Sequence, residues 1–502
     1  MQCCMHCRFL SSLFSVILQM APLSVYESIT MNKLEGEERV PLPGNEEQLE
    51  KTQGASKRKE LSRLQEAWDK MNEKDVKELD PFEKLEAEQD ITGSNVMADV
   101  APQTLAQAGV AALDRELFQR QHSRHSPQNP EALILATVAS SQMFRDEAFR
   151  LMFARADRLH PEKAASRMSA FFSLGLELYG QQALVRPVRP SDFETADEEA
   201  LKNGWIQISM TRDRAGRRIV VMDDLGPETL SIRNKCAAAD LDTQTKGVQL
   251  VIQIFNPDKS PFLSDPASRE QIRRLLACSP VRFSCVHFCF PTLPSEGDPD
   301  SKMPAAAKDG ERAEATTSNS DTLNISTITK AAASLLGKDE RIRTKFHTGS
   351  IIECHEQLGE YGFSPDVIPM TSTGRVKLKE HEKWIMIQVG KARAKQHGQP
   401  FSIVECPTKQ HILLVKGRHI ARHEGNMRLR SILQDRYDER NTSSRARKIA
   451  ITAEVMDALL EEGYTFLVKN HGDFWVTPPR KTVLEKLAIA FRTVPRLKPL
   501  NS

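Results

Sequence analysis

The chain has 502 residues, with 69 Lys and Arg against 67 Asp and Glu and a formal net charge of +2. That balance excludes a histone-like polycation and a wholly acidic disordered chain, and the length allows two or three domains with tails. Apolar residues at 40% suit a packed core, aromatics at 6% argue against a large all-β chain, and nine cysteines at low density imply a reducing compartment, not a disulfide scaffold.

Residues 1–30 admit two readings. Arg8 precedes the apolar run Phe9–Leu18, which is long enough for a signal-peptide core and too short to span a bilayer. No small-x-small cleavage site follows, so an upstream start error accounts for the segment equally well. The cluster Cys3-Cys4-Met5-His6-Cys7 has no matching second half for a metal. No other apolar stretch approaches about 20 residues, so no transmembrane helix is expected. Residues 31–129 read as largely disordered with helical pieces. Within them, 46–79 reads as a solvated helix or disorder, because Leu61, Leu64, Trp68 and Met71 make barely two heptads.

A domain is expected over 130–392. Phe144, Ala148, Phe149, Met152 and Phe153 form one helical stripe, and a second helix starts at Pro161 and stops at Gly180. Strands follow at 205–208, 219–222, 249–255 and 281–290. The run 249–255 has the continuous apolar character of a strand buried on both faces. An amphipathic helix at 266–278 between two strands gives the βαβ pattern of an α/β fold. Residues 295–321 read as a disordered insertion, and 324–336 as a helix with Ile325, Ile328, Ala332, Leu335 and Leu336 on one face. A separate unit occupies 408–495, in the order helix, helix, hairpin, helix. Its expected apolar faces are Leu429, Ile432, Leu433 and Tyr437, then Ile449, Ala453, Met456 and Leu460, then Val483, Leu484, Leu487 and Phe491.

No nucleophile elbow, Walker loop, His-Glu-x-x-His or paired Cys-x-x-Cys is present, so the chain is expected to be non-enzymatic and without a cofactor. Cys285, His287 and Cys289 alternate on one strand and share a face. Same-face neighbours are about 6.6 Å apart and zinc bonds about 2.0–2.3 Å long, so no single ion joins all three on a regular strand.

Four segments carry a family resemblance. Met152-Phe153-Ala154-Arg155-Ala156 with Pro161-Glu162-Lys163-Ala164 resembles the N-terminal helical signature of CRAL-TRIO (Sec14-like) lipid-binding proteins. Arg212 to Val220 resembles that family's Asp-x-x-Gly-Arg-Pro-Val turn and strand, with Arg218 where Pro is usual. Ser279-Pro280-Val281-Arg282-Phe283, with Val286-His287 and Pro291, is similar to its Tyr-Pro-x-Arg segment and Ile-His strand. Tyr361 to Pro369 resembles its closing segment. The family's Asp after the central strand is replaced by Phe255-Asn256-Pro257-Asp258. The resemblance spans about 250 residues and implies an α/β fold with a helical N-terminal subdomain, a mixed sheet and helices enclosing an apolar cavity. Expected cavity residues are Val220, Met222, Val251, Phe255, Phe283, Cys285, His287, Ile325, Ile328, Ala332 and Leu335. The implied partner is a lipid or other lipophilic molecule.

The C-terminal unit, read as a small basic α+β domain, resembles a domain of unknown function widespread in diatom proteins, through Gly417-Arg418, His423-Glu424-Gly425-Asn426, Gly463, Phe466-Leu467, Trp475, Lys486 and Phe491-Arg492. His419 stands where that family usually has a second glycine. Residues 408–498 hold 18 Lys and Arg against 10 Asp and Glu, a net of +8, which leaves −6 for the remainder. Lys416, Arg418, Arg422, Arg428, Arg430, Arg445, Arg447 and Lys448 are the expected contacts for anionic membrane or other phosphates. The leading expectation is a cytoplasmic, peripherally membrane-associated lipid binder. The alternative is a nuclear, nucleic-acid-associated regulator that uses the basic unit, with the α/β domain as ligand sensor.

Overall fold

The computed structural model describes residues 47–92, 103–122, 134–137, 142–185, 203–204, 206–223, 246–292 except 256, 258 and 259, and 325–493 except 365–366 and 372–375. Residues 1–30 and the insertion expected at 295–321 lie outside them. The chain divides into two compact units, one of residues 1–209 and 213–383, the other of 210–212 and 384–502.

The first unit begins with helices α1 (Glu47–Lys77), α2 (Pro81–Thr92), α3 (Gln103–His122), α4 (Glu147–Ala156) and α5 (Pro161–Tyr179). Asp146 caps α4 by accepting from the Ala148 amide. Pro161 opens α5, where a missing N–H costs nothing, and Gly180 closes it at φ 70°. Helices α3, α4 and α5 share an apolar core with Leu113, Leu117, Phe153 and Phe172 at its centre. Phe149, Phe153 and Phe171 meet edge to face at 5.1–5.6 Å, the favoured arrangement for aromatic pairs.

A five-stranded sheet follows in the order β1 (Ile206–Arg212), β2 (Arg218–Asp223), β3 (Val248–Gln253), β4 (Phe283–Thr292), β5 (Thr344–Ser350). Strands β2 to β5 are all parallel. The short turn 213–217 joins β1 to its neighbour β2, which only an antiparallel pair permits, so the sheet is mixed. Helix α6 (Pro266–Cys278) links β3 to β4, and α7 (Ile325–Leu335) with α8 (Lys338–Ile342) precedes β5. Successive right-handed crossovers in one direction place α6 and α7 on the same side of the sheet. There α7 packs against α6 and α1. Helix α9 (Ile351–Glu360), started by a Ser350–Glu353 capping box, covers the other side with 361–370.

Alternation sorts the side chains cleanly. Ile219, Val221, Val251 and Cys289 pack under α9, and His287 lies on that same face. Val220, Met222, Leu250, Phe288 and Phe346 point to the α6–α7 side. Phe288 stacks on Phe346 at 5.5 Å, and Trp68 meets Phe346 at 5.1 Å. The face of α1 expected to be solvated thus docks on the sheet. Leu64 and Trp68 are fully buried, and the Trp68 indole donates to the Arg341 carbonyl at 3.1 Å. Heptad counting missed this because α1 packs on β5 together with α7 and α8, not along one partner helix.

The second unit contains most of α10 (Lys379–Gln396), then β6 (Ile403–Val404), β7 (His411–Leu413), α11 (Glu424–Asp435), α12 (Tyr437–Thr442), α13 (Arg445–Glu461), β8 (Thr465–Lys469), β9 (Trp475–Val476) and α14 (Arg480–Thr493). Its sheet runs β6-β9-β8-β7. The apolar faces of α11 and α14 lie where expected. The face of α13 is rotated. Ile451, Val455, Met456 and Leu459 are buried, whereas Ile449 is 62% and Leu460 46% exposed. The i, i+4 stripe through Ile449 was the weaker of two interleaved patterns, and the core took the other. Among the described residues no helix is long and apolar enough to cross a membrane.

Candidate functional site

The α9 face of the sheet carries a polar chain across its strands. Asp213 opens the turn after β1 and accepts from Arg217 Nε at 2.5 Å. The Gln249 amide nitrogen donates to Asp213 at 2.7 Å, which turns its carbonyl oxygen toward His287. His287 Nε2 must then carry the proton for the 2.6 Å bond to Gln249 Oε1. Its Nδ1 is left as acceptor for His347 Nε2, 2.9 Å away. Tyr361 and Phe363 close over His287 edge to face. Burial holds the His287 pKa well below its ordinary value, and the nearby His347 adds to this; burial likewise lowers His347 to about 3. Imidazoles this weakly basic are poor general bases near neutrality.

His347 also lines a cleft of about 670 Å³ at the free edge of β5, between α1 and α9. Glu66, Asp69, Glu356 and Glu360 give it acidic walls, and Lys345 is the cation among them. Gln65 takes the outward Phe346 amide, and Gln357 donates to the Thr348 carbonyl at 2.8 Å. These two side chains cap backbone groups that an edge strand would otherwise present.

At the carboxyl ends of β2 and β3 the chemistry changes. Asp223 and Gln253 are register partners, both buried. Neither Asp223 oxygen nor Gln253 Oε1 has a hydrogen-bond partner among the described residues. Burial raises the Asp223 pKa to about 8. Ligands of open α/β sheets bind beyond the carboxyl ends of the strands, so this end is the natural place for a polar handle.

The expected cavity residues divide between two places. Val220 and Met222 face the α6–α7 side, where Ile328, Ala332 and Leu335 of α7 are also buried. Ile325 starts α7 half-buried. Val251, Phe255, Cys285 and His287 were expected in the same lining, and this is corrected. Strand alternation turns Val251, Cys285 and His287 to the α9 face, and Phe255 packs with them. Cys285 Sγ donates to the Arg343 carbonyl at 2.9 Å, and burial pushes its thiol up to about 12, which makes it unreactive. Phe283 is buried at the start of β4. None of these residues lines the acidic cleft. No metal-binding cluster of His, Cys, Asp or Glu occurs among the described residues.

In the second unit the basic set is partly spent. Arg428 pairs with Glu462 at 2.6 Å, Arg447 bridges Glu439 and Glu454, and Arg430 donates to the Ala421 carbonyl. Lys416, Arg422 and Arg445 are exposed, and Lys448 is half-buried. The side chain of Arg418 lies outside the described residues.

The residues that drew attention at 423–426 are architectural. Asn426 accepts from the Leu413 amide at 2.7 Å and donates to the Leu413 carbonyl at 2.9 Å, pairing the free edge of β7 as a strand would. Any side chain at Gly425 would meet the His411 carbonyl at 2.2 Å. Helix α11 can therefore approach β7 only through a glycine. Residues 411–493 match a family described as a domain of unknown function (DUF6824). No curated protein matches the chain.

Proposed function

We propose that the first unit is a non-enzymatic carrier of a lipid or other lipophilic molecule, built as a CRAL-TRIO-like domain. The observation that carries this reading is the sequential parallel order β2-β3-β4-β5 behind a helical N-terminal bundle. The resembling segments also meet in space: the Arg214 amide donates to the Gly362 carbonyl at 3.0 Å, joining the second segment to the fourth. The ligand's place is the layer between Val220, Met222 and Phe288 of the sheet and Ile328, Ala332 and Leu335 of α7. Entry requires α7 to lift, because this layer is closed and packed. Burial of aliphatic ligand surface drives uptake at about 25 cal/mol per Å². Docking to anionic membrane falls to Lys416, Arg422 and Arg445, since Arg428 and Arg447 already hold carboxylates.

Lipid extraction and mass spectrometry of the purified chain test the reading. One lipophilic molecule per chain, exchangeable with labelled vesicles, is the expected result. An empty chain that takes up nothing from vesicles would overturn it. The regulatory alternative predicts salt-sensitive DNA or RNA binding that is lost when Arg422 and Arg445 become glutamate.

A further inference from the structure

Three parallel strands are each preceded by an arginine: Arg217 before β2, Arg282 before β4 and Arg343 before β5. Parallel order brings all three to the amino end of the sheet. Arg158 joins them from the turn after α4, held at φ 55°. Into their midst α2 sends Asp90, itself 3% exposed. Arg158, Arg282 and Arg343 all donate to one oxygen, Asp90 Oδ2, at 2.6, 2.5 and 2.9 Å. Arg217 donates to the Asp90 backbone carbonyl. Three of the guanidiniums are also held by groups outside α2: Arg343 donates to the Asp339 carbonyl, Arg282 to the Lys246 carbonyl and Arg217 to Asp213, whereas Arg158 pairs with Glu86 of α2 itself. Four guanidiniums face three carboxylates, Asp90, Glu86 and Asp213, an excess of one positive charge. Arg217 Nη2 is buried with no partner among the described residues.

A carboxylate is a poor fit for this set. Three cations converge on one of its oxygens while a fourth donor goes unused. A phosphate group has three terminal oxygens and up to two charges, and arginine forks match it well. We propose that the cluster of Arg158, Arg217, Arg282 and Arg343 is a phosphate-binding site, and that Asp90 occupies it as an internal competitor. Helix α2 is then a plug, and a phosphate group that enters displaces it from the sheet.

The full chain carrying Asp90→Ala tests this. Inorganic phosphate, compared with chloride at equal ionic strength, should raise its thermal midpoint by about 2–3 °C at about ten-fold excess over Kd. Vesicles containing phosphatidic acid, compared with phosphatidylcholine alone, form a second arm. A response to vesicles only assigns the phosphate to a lipid headgroup, and a response to the free ion assigns it to a soluble ligand. Asp90→Asn, nearly isosteric, repeats both arms in case the alanine variant does not fold. If neither variant gains a phosphate-specific response, or if neither folds, the cluster is a structural brace and the proposal fails.

Discussion

Gln249 and Gln253 sit four residues apart on β3, on the same face, and both are buried. Gln249 donates to Asp213 and accepts from His287. Gln253 Oε1 has no partner among the described residues, and neither do the carboxyl oxygens of its neighbour Asp223. One strand therefore runs from a saturated polar end to an unsaturated one. The amino end also holds the arginine cluster, whose charges are nearly balanced. Apart from Arg217 Nη2, polar groups at the amino end are paired and fasten the fold, whereas Asp223 and Gln253 Oε1 at the carboxyl end cost stability in the state described.

The largest test is Asp223→Asn. The folded carboxyl titrates near 8 and the unfolded one near 3.8. Its folded pKa is raised, so its contribution is intact below about pH 4 and stability falls as pH rises through 8. At 1.36 kcal/mol per unit, the loss accumulates to on the order of 5 kcal/mol by pH 8. The asparagine variant should lose this slope and gain stability of that order at pH 8 relative to wild type. Urea unfolding at pH 5 and pH 8 measures it, and equal pH dependence in the two proteins would show that Asp223 has found a partner.

Next in size is Gln249→Leu. It strands the buried donor of His287, while Asp213 Oδ2 keeps its bond from Arg217 Nε. A loss of about 2 kcal/mol is expected in the same measurement, from one desolvated group at about 1–3 kcal/mol. A loss below 1 kcal/mol would mean that the chain across the sheet rearranges freely.

How much of this was legible in the sequence differs between the two ends. Strands β1 to β4 were clear from their apolar runs, and α6, α7 and α14 from their periodicity, whereas β5, with Lys345, His347 and Thr348 among its residues, was not placed. Neither glutamine stood out, because in the run 249–255 they read only as tolerated polar residues. The Asp213–Gln249–His287–His347 chain joins residues 36 to 60 positions apart, and no local pattern marks it. Asp90 was hidden for a stronger reason. It lies 192 residues from Arg282, in a stretch whose charge suggested disorder. The pairing of candidate residues into one cavity failed on parity alone: a single list mixed odd and even positions of neighbouring strands.

His347→Gln probes the middle of the chain. Its folded pKa, about 3, lies below the unfolded 6.5. Stability from the neutral imidazole is therefore complete above about pH 6.5 and lost as pH falls toward 3. At pH 5 the loss is about 2 kcal/mol. Glutamine keeps a donor for His287 Nδ1 but does not titrate, so the acid limb should become shallower by one proton. His287, His355 and His423 shift in the same direction and retain the rest. Wild-type stability should peak near pH 6.5, where the lowered histidines cease to cost and Asp223 continues. A peak well above pH 8 would contradict the raised Asp223 pKa.

The smallest effect, Gln253→Leu, decides the comparison most directly. Leucine is close in volume and removes an acceptor that nothing described satisfies. Replacing an unpaired buried polar group by an apolar one of similar shape is neutral or stabilising, here by about 1 kcal/mol. The same substitution at two positions of one strand then has opposite signs, a loss at 249 and a gain at 253. Lipid extraction of both variants adds a functional axis. If the carboxyl end meets the ligand's polar part, Gln253→Leu should lower retained lipid while raising stability, and Gln249→Leu should do neither. If Gln253→Leu destabilises the chain as much as Gln249→Leu, then the amide at 253 is bonded in solution and the two ends of β3 are alike.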